Sequence, residues 1–221
     1  MSDDSGVPPG ARALEPEAKN HRAAELNRTR FAAEGTFVVS LGSAPGSGTT
    51  TLLVRTLEAL KARGQTLAVI AGDQPATLAA VPADVATTTA SRGLDAEAIA
   101  QALVTHPAPL GGTLFIERGE SPRLDLGEAK RVVVTAVSES SELSIKARDE
   151  FAAADAVVLN KIDLVSTLGF DAVALERNVR SVNPTARVFQ VSGRTGAGFD
   201  EWVSWLEESR TREFTAMASP V

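Results

Sequence analysis

Short apolar runs at 37–41, 67–70, 114–116, 132–136, 156–159 and 188–191 alternate with longer amphipathic stretches at 51–63, 95–105, 173–182 and 200–208. Runs this short and this apolar read as strands buried on both faces. Strands that alternate with helices build right-handed βαβ units around a mostly parallel sheet. The expected fold class is α/β, a doubly wound, mostly parallel sheet with helices on both faces. No internal repeat and no second-domain boundary interrupts the rhythm, so residues 36–209 read as one domain. Residues 16–35 read as an N-terminal helix with Ala23, Leu26 and Phe31 on its apolar face. Residues 1–15, rich in Ser, Asp, Pro and Gly, read as a disordered leader, and 210–221 as a flexible tail.

The first strand runs into Gly42-Ser43-Ala44-Pro45-Gly46-Ser47-Gly48-Thr49-Thr50-Thr51 and then into a helix. A glycine-rich turn between a strand and a helix N-terminus is the setting of a phosphate cradle. Glycines tolerate positive φ, successive N–H groups point inward, and the helix dipole favours an anion. This places the chain with the P-loop NTPases, with Gly46, Ser47, Gly48, Thr49, Thr50 and Thr51 as candidate phosphate-binding residues. The usual pattern is G-x-x-x-x-G-K-[ST], whose Ser/Thr coordinates Mg²⁺; Thr50 holds that place. Ser43 stands at the first glycine and Thr49 at the lysine. That lysine ordinarily bridges the β- and γ-phosphates, and a threonine brings a hydrogen bond but no charge. Phosphate binding survives such a change more readily than phosphoryl transfer does. A turn that binds nothing is the bland alternative.

The run at 156–159 ends in Asn160-Lys161-Ile162-Asp163, an N-K-x-D motif. An aspartate there accepts two hydrogen bonds from the N1 and N2 donors of guanine. Adenine offers no such pair, and an unmatched buried carboxylate is costly, so the motif discriminates. Asn160 would hold the loop and the base, while the Lys161 stem packs on the base face. The last run leads into Ser192, Gly193 and Arg194, where a loop closing over the base belongs. GTP or GDP with Mg²⁺ is the expected ligand.

Bulk properties narrow the remaining classes. The formal net charge is −6 with no basic block, which argues against nucleic acid as a partner. The chain has no cysteine, which excludes disulfides, thiolate metal sites and thiol catalysis. No apolar run approaches the ~20 residues needed to span a bilayer, and the acidic N-terminus is no secretory signal, so the expected location is the cytoplasm, away from membranes.

Taken in order, these residues resemble the hydrogenase nickel-incorporation GTPases of the HypB type, relatives of the urease accessory GTPases. The resemblance runs from about Asn20 to Leu206. It also takes in Asn27-Arg28 with Phe31, Gly72-Asp73, Leu94-Asp95-Ala96-Glu97, Phe115-Ile116-Glu117, Asp125-Leu126-Gly127-Glu128 and Asn183-Pro184. It implies a guanine-nucleotide-driven homodimer that serves a hydrogenase large subunit together with other maturation proteins. It also implies Asp73 and Glu117 as the catalytic acids near Mg²⁺ and the γ-phosphate, with Thr50 and Asp73 as Mg²⁺ ligands. A helix cap for Asp73 and a solvated strand end for Glu117 are the structural alternatives.

The family's metal stretch Gly-Cys-His-Leu-Asp reads Ser91-Arg92-Gly93-Leu94-Asp95 here, and the segment with a second family cysteine is replaced by Arg118-Gly119-Glu120-Ser121-Pro122-Arg123. Nickel and zinc favour imidazole and thiolate. The only histidines, His21 and His106, read as surface residues away from the family's ligand positions, so nickel or zinc binding there is not expected. Arg92, Arg118 and Arg123 are either exposed loop charges or a source of the charge missing at Thr49, in the manner of an arginine finger. Three functions follow: a GTP-binding maturation factor with weak or absent hydrolysis, a non-enzymatic scaffold for an intact relative, and an ATP-dependent small-molecule kinase, against which the N-K-x-D motif speaks.

Overall fold

Five of the six apolar runs lie within strands, and the sixth, 188–191, overruns its strand by one residue. A computed structural model of the chain describes residues 9–72, 75–82, 84–89, 94–119, 124–139 and 145–218. β1 (Phe37–Ser43) sits centrally and pairs in parallel with β4 (Thr113–Gly119) on one side and β5 (Lys130–Ala136) on the other. Beyond β4 lie β2 (Leu67–Ala71) and β3 (Ala86–Thr89); beyond β5 lie β6 (Ala156–Asn160) and β7 (Arg187–Gln190). The sheet has seven strands in the order β3-β2-β4-β1-β5-β6-β7, and every pairing is parallel. A wholly parallel sheet sends all its carboxyl ends to one edge, where ligands bind in such folds.

Period-two alternation along the strands serves packed clusters on both faces of the sheet. Val39, Leu41, Val69, Phe115, Val134 and Val158 face α2 (Thr49–Ala62) and α8 (Phe199–Ala218). Trp202 of α8 is the largest fully buried side chain, and its indole N–H donates to Thr56 Oγ1 at 3.0 Å. On the opposite face, Val38, Ile70 and Ile116 pack with α1 (Pro9–Glu34) and α4 (Ala96–Thr105), while Val133, Val157 and Leu159 pack with α5 (Ile145–Ala152) and α7 (Ala172–Val182). Helices thus cover both faces. The short helices α3 (Pro75–Ala80) and α6 (Val165–Leu168) complete the α-helices among the described residues.

The element bounds depart from the sequence reading at several points. Helix α1 begins at Pro9, inside the stretch 1–15 read as a leader, because the residues between Pro9 and Pro16 are mostly strong helix formers. Residues 1–8 lie outside the described residues. The buried face of α1 is Ala24, Asn27 and Phe31, whereas Leu26 is 72% exposed. Polar Asn27 is suited to that face because its amide donates to the carbonyls of Ala96 and Leu126 at 2.8 and 3.1 Å. Helix α8 continues to Ala218 through most of the expected tail, with Phe214 against the core and the Arg210 guanidinium 4.6 Å over its ring. Among the described residues, no helix is long and apolar enough to cross a membrane.

Candidate functional site

The phosphate loop leaves β1 at the centre of the sheet's carboxyl edge and enters α2 through Gly48, which has φ 80° and ψ 24° and offers no side-chain cap to the helix. No N-cap side chain therefore competes for the first amides of α2, as an anion site requires. Gly46 also takes a positive φ of 81°, and the Ser47 N–H donates to the Ala44 carbonyl at 3.3 Å. Ser47 and Thr49 are buried, and their hydroxyls bond each other at 2.8 Å. The lysine position is thus filled by a neutral, internally paired side chain. Thr51, next along the helix, is exposed.

Thr50 turns the other way. Its Oγ1 lies 3.0 Å from Thr77 Oγ1 and 3.5 Å from Glu117 Oε1. Glu117 of β4 pairs opposite Leu41, is 3% exposed, and its Oε2 is buried with no hydrogen-bond partner among the described residues. It is not a solvated strand end. Burial pushes its carboxyl above the ordinary glutamate value, and the Thr77 and Thr50 hydroxyls pull it partly back. An orphaned carboxylate oxygen beside a P-loop threonine is the arrangement a hard divalent cation satisfies with oxygen ligands. Asp73 lies outside the described residues, but Gly72 before it donates its N–H to the Glu117 carbonyl at 3.1 Å. Thr77 carries no motif and was invisible in the sequence.

The base-reading motif is welded to the phosphate loop. Asn160, 2% exposed at the end of β6, donates through Nδ2 to the carbonyls of Ser47 and Gly48 at 3.0 and 3.2 Å. Its Oδ1 accepts the N–H groups of Lys161 and Gly193 at 2.8 and 3.0 Å. One amide therefore ties three loops together. Lys161 has φ 62° and ψ 34°, the one positive-φ residue other than glycine among those described. Strain of this kind is kept at sites that need it. The Lys161 ammonium donates to the Gly46 carbonyl, so the lysine braces the phosphate loop.

Asp163 sits in a 3₁₀ turn, Ile162–Leu164, with its side chain 13% exposed. Its Oδ1 accepts from the Ser192 hydroxyl, and its Oδ2 accepts from Arg194 Nε and Nη2 at 3.1 and 2.8 Å. The Ser192 bond, then the Arg194 bonds, hold its carboxyl below the ordinary aspartate value. Gly193 approaches α2 so closely that a Cβ would meet Thr51 Cγ2 at 3.3 Å. Arg55 of α2 donates to the carbonyls of Gly193 and Arg194 at 3.1 and 3.2 Å, a contact no motif announced. Glu139, just beyond β5, accepts from Thr135 Oγ1 and the Ala136 N–H at 3.0 and 3.3 Å, and burial raises its carboxyl above the usual value.

The arginine-finger reading fails for Arg118. The β1–β4 register skips it, pairing Leu41 with Glu117 and Gly42 with Gly119. Its guanidinium is buried against Glu128 at 3.5 Å and the Leu124 carbonyl at 3.4 Å. Glu128 also takes Arg131 Nη2 at 2.9 Å and the Leu126 N–H at 2.7 Å. A buried carboxylate this well supplied recruits Arg118 as its counter-ion. Arg92 and Arg123 lie outside the described residues, as do Ser91 and Gly93. His21, exposed on α1, has Glu25 and Asp125 with ligand atoms within 4.8 Å. Arg28 already bridges both carboxylates, so the cation in that cluster is a guanidinium.

Three comparisons bear on this geometry. Residues 104–190 match the family model described as CobW/HypB/UreG, nucleotide-binding domain. The chain is 42% identical over 203 residues to the hydrogenase maturation factor HypB of Azotobacter vinelandii, covering 87% of this chain and 67% of that one. The crystal structure of hydrogenase maturation factor HypB from Archaeoglobus fulgidus superposes with a TM-score of 0.79 at 30% identity, covering 87% of this chain and 99% of the other. That of HypB from Helicobacter pylori in complex with nickel gives a TM-score of 0.78 at 24% identity, covering 89% and 97%, and supports the fold.

Proposed function

The chain belongs to the HypB family of hydrogenase maturation factors, and from that premise we propose that it is a guanine-nucleotide switch in hydrogenase maturation that binds GTP and GDP with Mg²⁺ but hydrolyses GTP slowly or not at all. The observation that carries this is the pairing of an intact base-and-cradle assembly with a neutral lysine position. Asn160 joins the phosphate loop to the base loop, and Asp163 offers a carboxylate where guanine is read. Thr49, buried against the Ser47 hydroxyl, brings no charge to the β- and γ-phosphates.

In this reading the first amides of α2 and the glycines at 46 and 48 cradle the phosphates. Thr50 and Glu117, with Asp73, would hold Mg²⁺, which would neutralise phosphate charge there. The buried, unpartnered Glu117 Oε2 is the observation that fits a cation there. Positioning is therefore supplied, and the main fixed positive charge for the transferring phosphoryl group is not. With no cysteine in the chain, a nickel or zinc site of the thiolate kind is not part of the proposal. Other maturation proteins or the hydrogenase large subunit are the proposed partners, and a homodimer the proposed assembly.

The test is a fluorescence titration with labelled GTP, GDP and ATP, with and without Mg²⁺, on the wild type and Asp163→Ala. Guanine-selective, Mg²⁺-dependent binding that loses its selectivity in the variant supports the proposal. Equal affinity for ATP and GTP, or no binding to either, overturns it.

A further inference from the structure

A guanidinium and a guanine base present the same hydrogen-bonding unit. Each carries two N–H donors on an N–C–N group, aimed side by side at one carboxylate. In this structure the Nε and Nη2 donors of Arg194 converge on Oδ2 of Asp163, the aspartate of the N-K-x-D motif, at 3.1 and 2.8 Å. The other oxygen is held by Ser192, which is fully buried. The carboxylate that a base would have to engage is thus already engaged.

The two partners differ in how firmly they are fixed. Ser192 is locked from several sides, its Oγ accepting the Thr195 N–H at 3.0 Å and its carbonyl the Gly196 N–H at 2.8 Å. The backbone at 193 and 194 is pinned by the Arg55 bonds to both carbonyls and by the Asn160 bond to the Gly193 N–H. The Arg194 side chain is 75% exposed. Rotation of that one side chain frees Oδ2 and leaves the loop intact.

We propose that Arg194 is a tethered stand-in for guanine: in the nucleotide-free protein its guanidinium occupies the Asp163 acceptor, and nucleotide loads by exchanging one N–C–N donor pair for another. This deepens the guanine-nucleotide reading and rests on it. The contact gives the Asp163 carboxylate a donor pair of its own. It also acts as an intramolecular competitor, since only the fraction of molecules with Arg194 swung away accepts the base. The pair is largely exposed on the arginine side, so its hold is that of a surface ion pair and weakens with salt.

Two measurements test it. In the ¹H–¹⁵N spectrum of the nucleotide-free wild type, the Arg194 Hε resonance is expected to be protected from exchange, to move on saturation with GDP, and to stay in place with ATP. By stopped flow, Arg194→Ala is expected to bind labelled GDP about two- to five-fold faster than wild type at low salt, with the gap closing as salt rises. An Hε resonance indifferent to bound GDP, or association in Arg194→Ala no faster than wild type, overturns the stand-in and leaves the guanine reading standing. Failure of both wild type and variant to bind any guanine nucleotide overturns the site reading and the stand-in with it.

Discussion

Gly48 and Gly46 both sit in the phosphate loop with almost the same positive φ, 80° and 81°, yet their surroundings differ completely. A Cβ on Gly46 would meet nothing within 4 Å. A Cβ on Gly48 would lie 2.7 Å from Asn160 Nδ2 and 3.4 Å from Lys161 Cε. Gly46→Ala therefore costs only the backbone strain of an alanine in the left-handed region, about 1–2 kcal/mol. Gly48→Ala carries the same strain and also displaces Asn160, whose two bonds to the Ser47 and Gly48 carbonyls are worth about 0.5–1.5 kcal/mol each. The expected losses are about 1–2 kcal/mol for Gly46→Ala and about 2–5 kcal/mol for Gly48→Ala. At about 2–4 °C per kcal/mol for a domain of this size, Gly48→Ala melts several degrees below Gly46→Ala. Urea denaturation with tryptophan fluorescence measures the difference, since Trp202 and Trp205 are buried in the core. Equal losses for the two variants would refute the claim that Asn160 is the tie between the phosphate loop and the base loop.

Glu117→Gln is expected to stabilise the nucleotide-free protein at neutral pH while abolishing the Mg²⁺-dependent part of nucleotide binding. The folded carboxyl holds its proton above the ordinary glutamate value, so wild-type stability is expected to fall as pH rises from that value through the raised one, and a pH series of melts should show a shallower fall in the variant, with the remainder from Glu139. Arg118→Ala leaves Glu128 buried with Arg131 as a remaining counter-ion, so destabilisation near the lower end of about 3–5 kcal/mol is expected in urea titrations. Its GDP affinity should equal that of wild type, because the side chain is turned into a buried ion pair.

The central strands and the strand-turn-helix of the phosphate loop were legible because burial on both faces leaves continuous apolar runs, and because a phosphate loop needs glycine at fixed places. β3 was not, since Ala86–Thr89 is a short edge strand of Ala and Thr with no fully buried position. Helix α1 misled because its buried face includes Asn27, whose amide bonds compensate burial, while apolar Leu26 is left in solvent. Asn160 and Asp163 announced themselves by spacing. Thr77, Arg55 and the pairing of Arg194 with Asp163 did not, because contacts between loops far apart in the chain leave no local pattern. The fate of Arg118 turned on a register irregularity at the end of β4, which no side-chain pattern encodes.

The most direct measurement is single-turnover GTP hydrolysis by the wild type and by Thr49→Lys, each saturated with GTP and Mg²⁺. Tight binding with little or no phosphate release in the wild type, and release accelerated by orders of magnitude in Thr49→Lys, is the predicted result. Fast hydrolysis by the wild type, or a variant that binds GTP equally well and gains nothing, would contradict the claim that the missing charge at Thr49 separates binding from turnover.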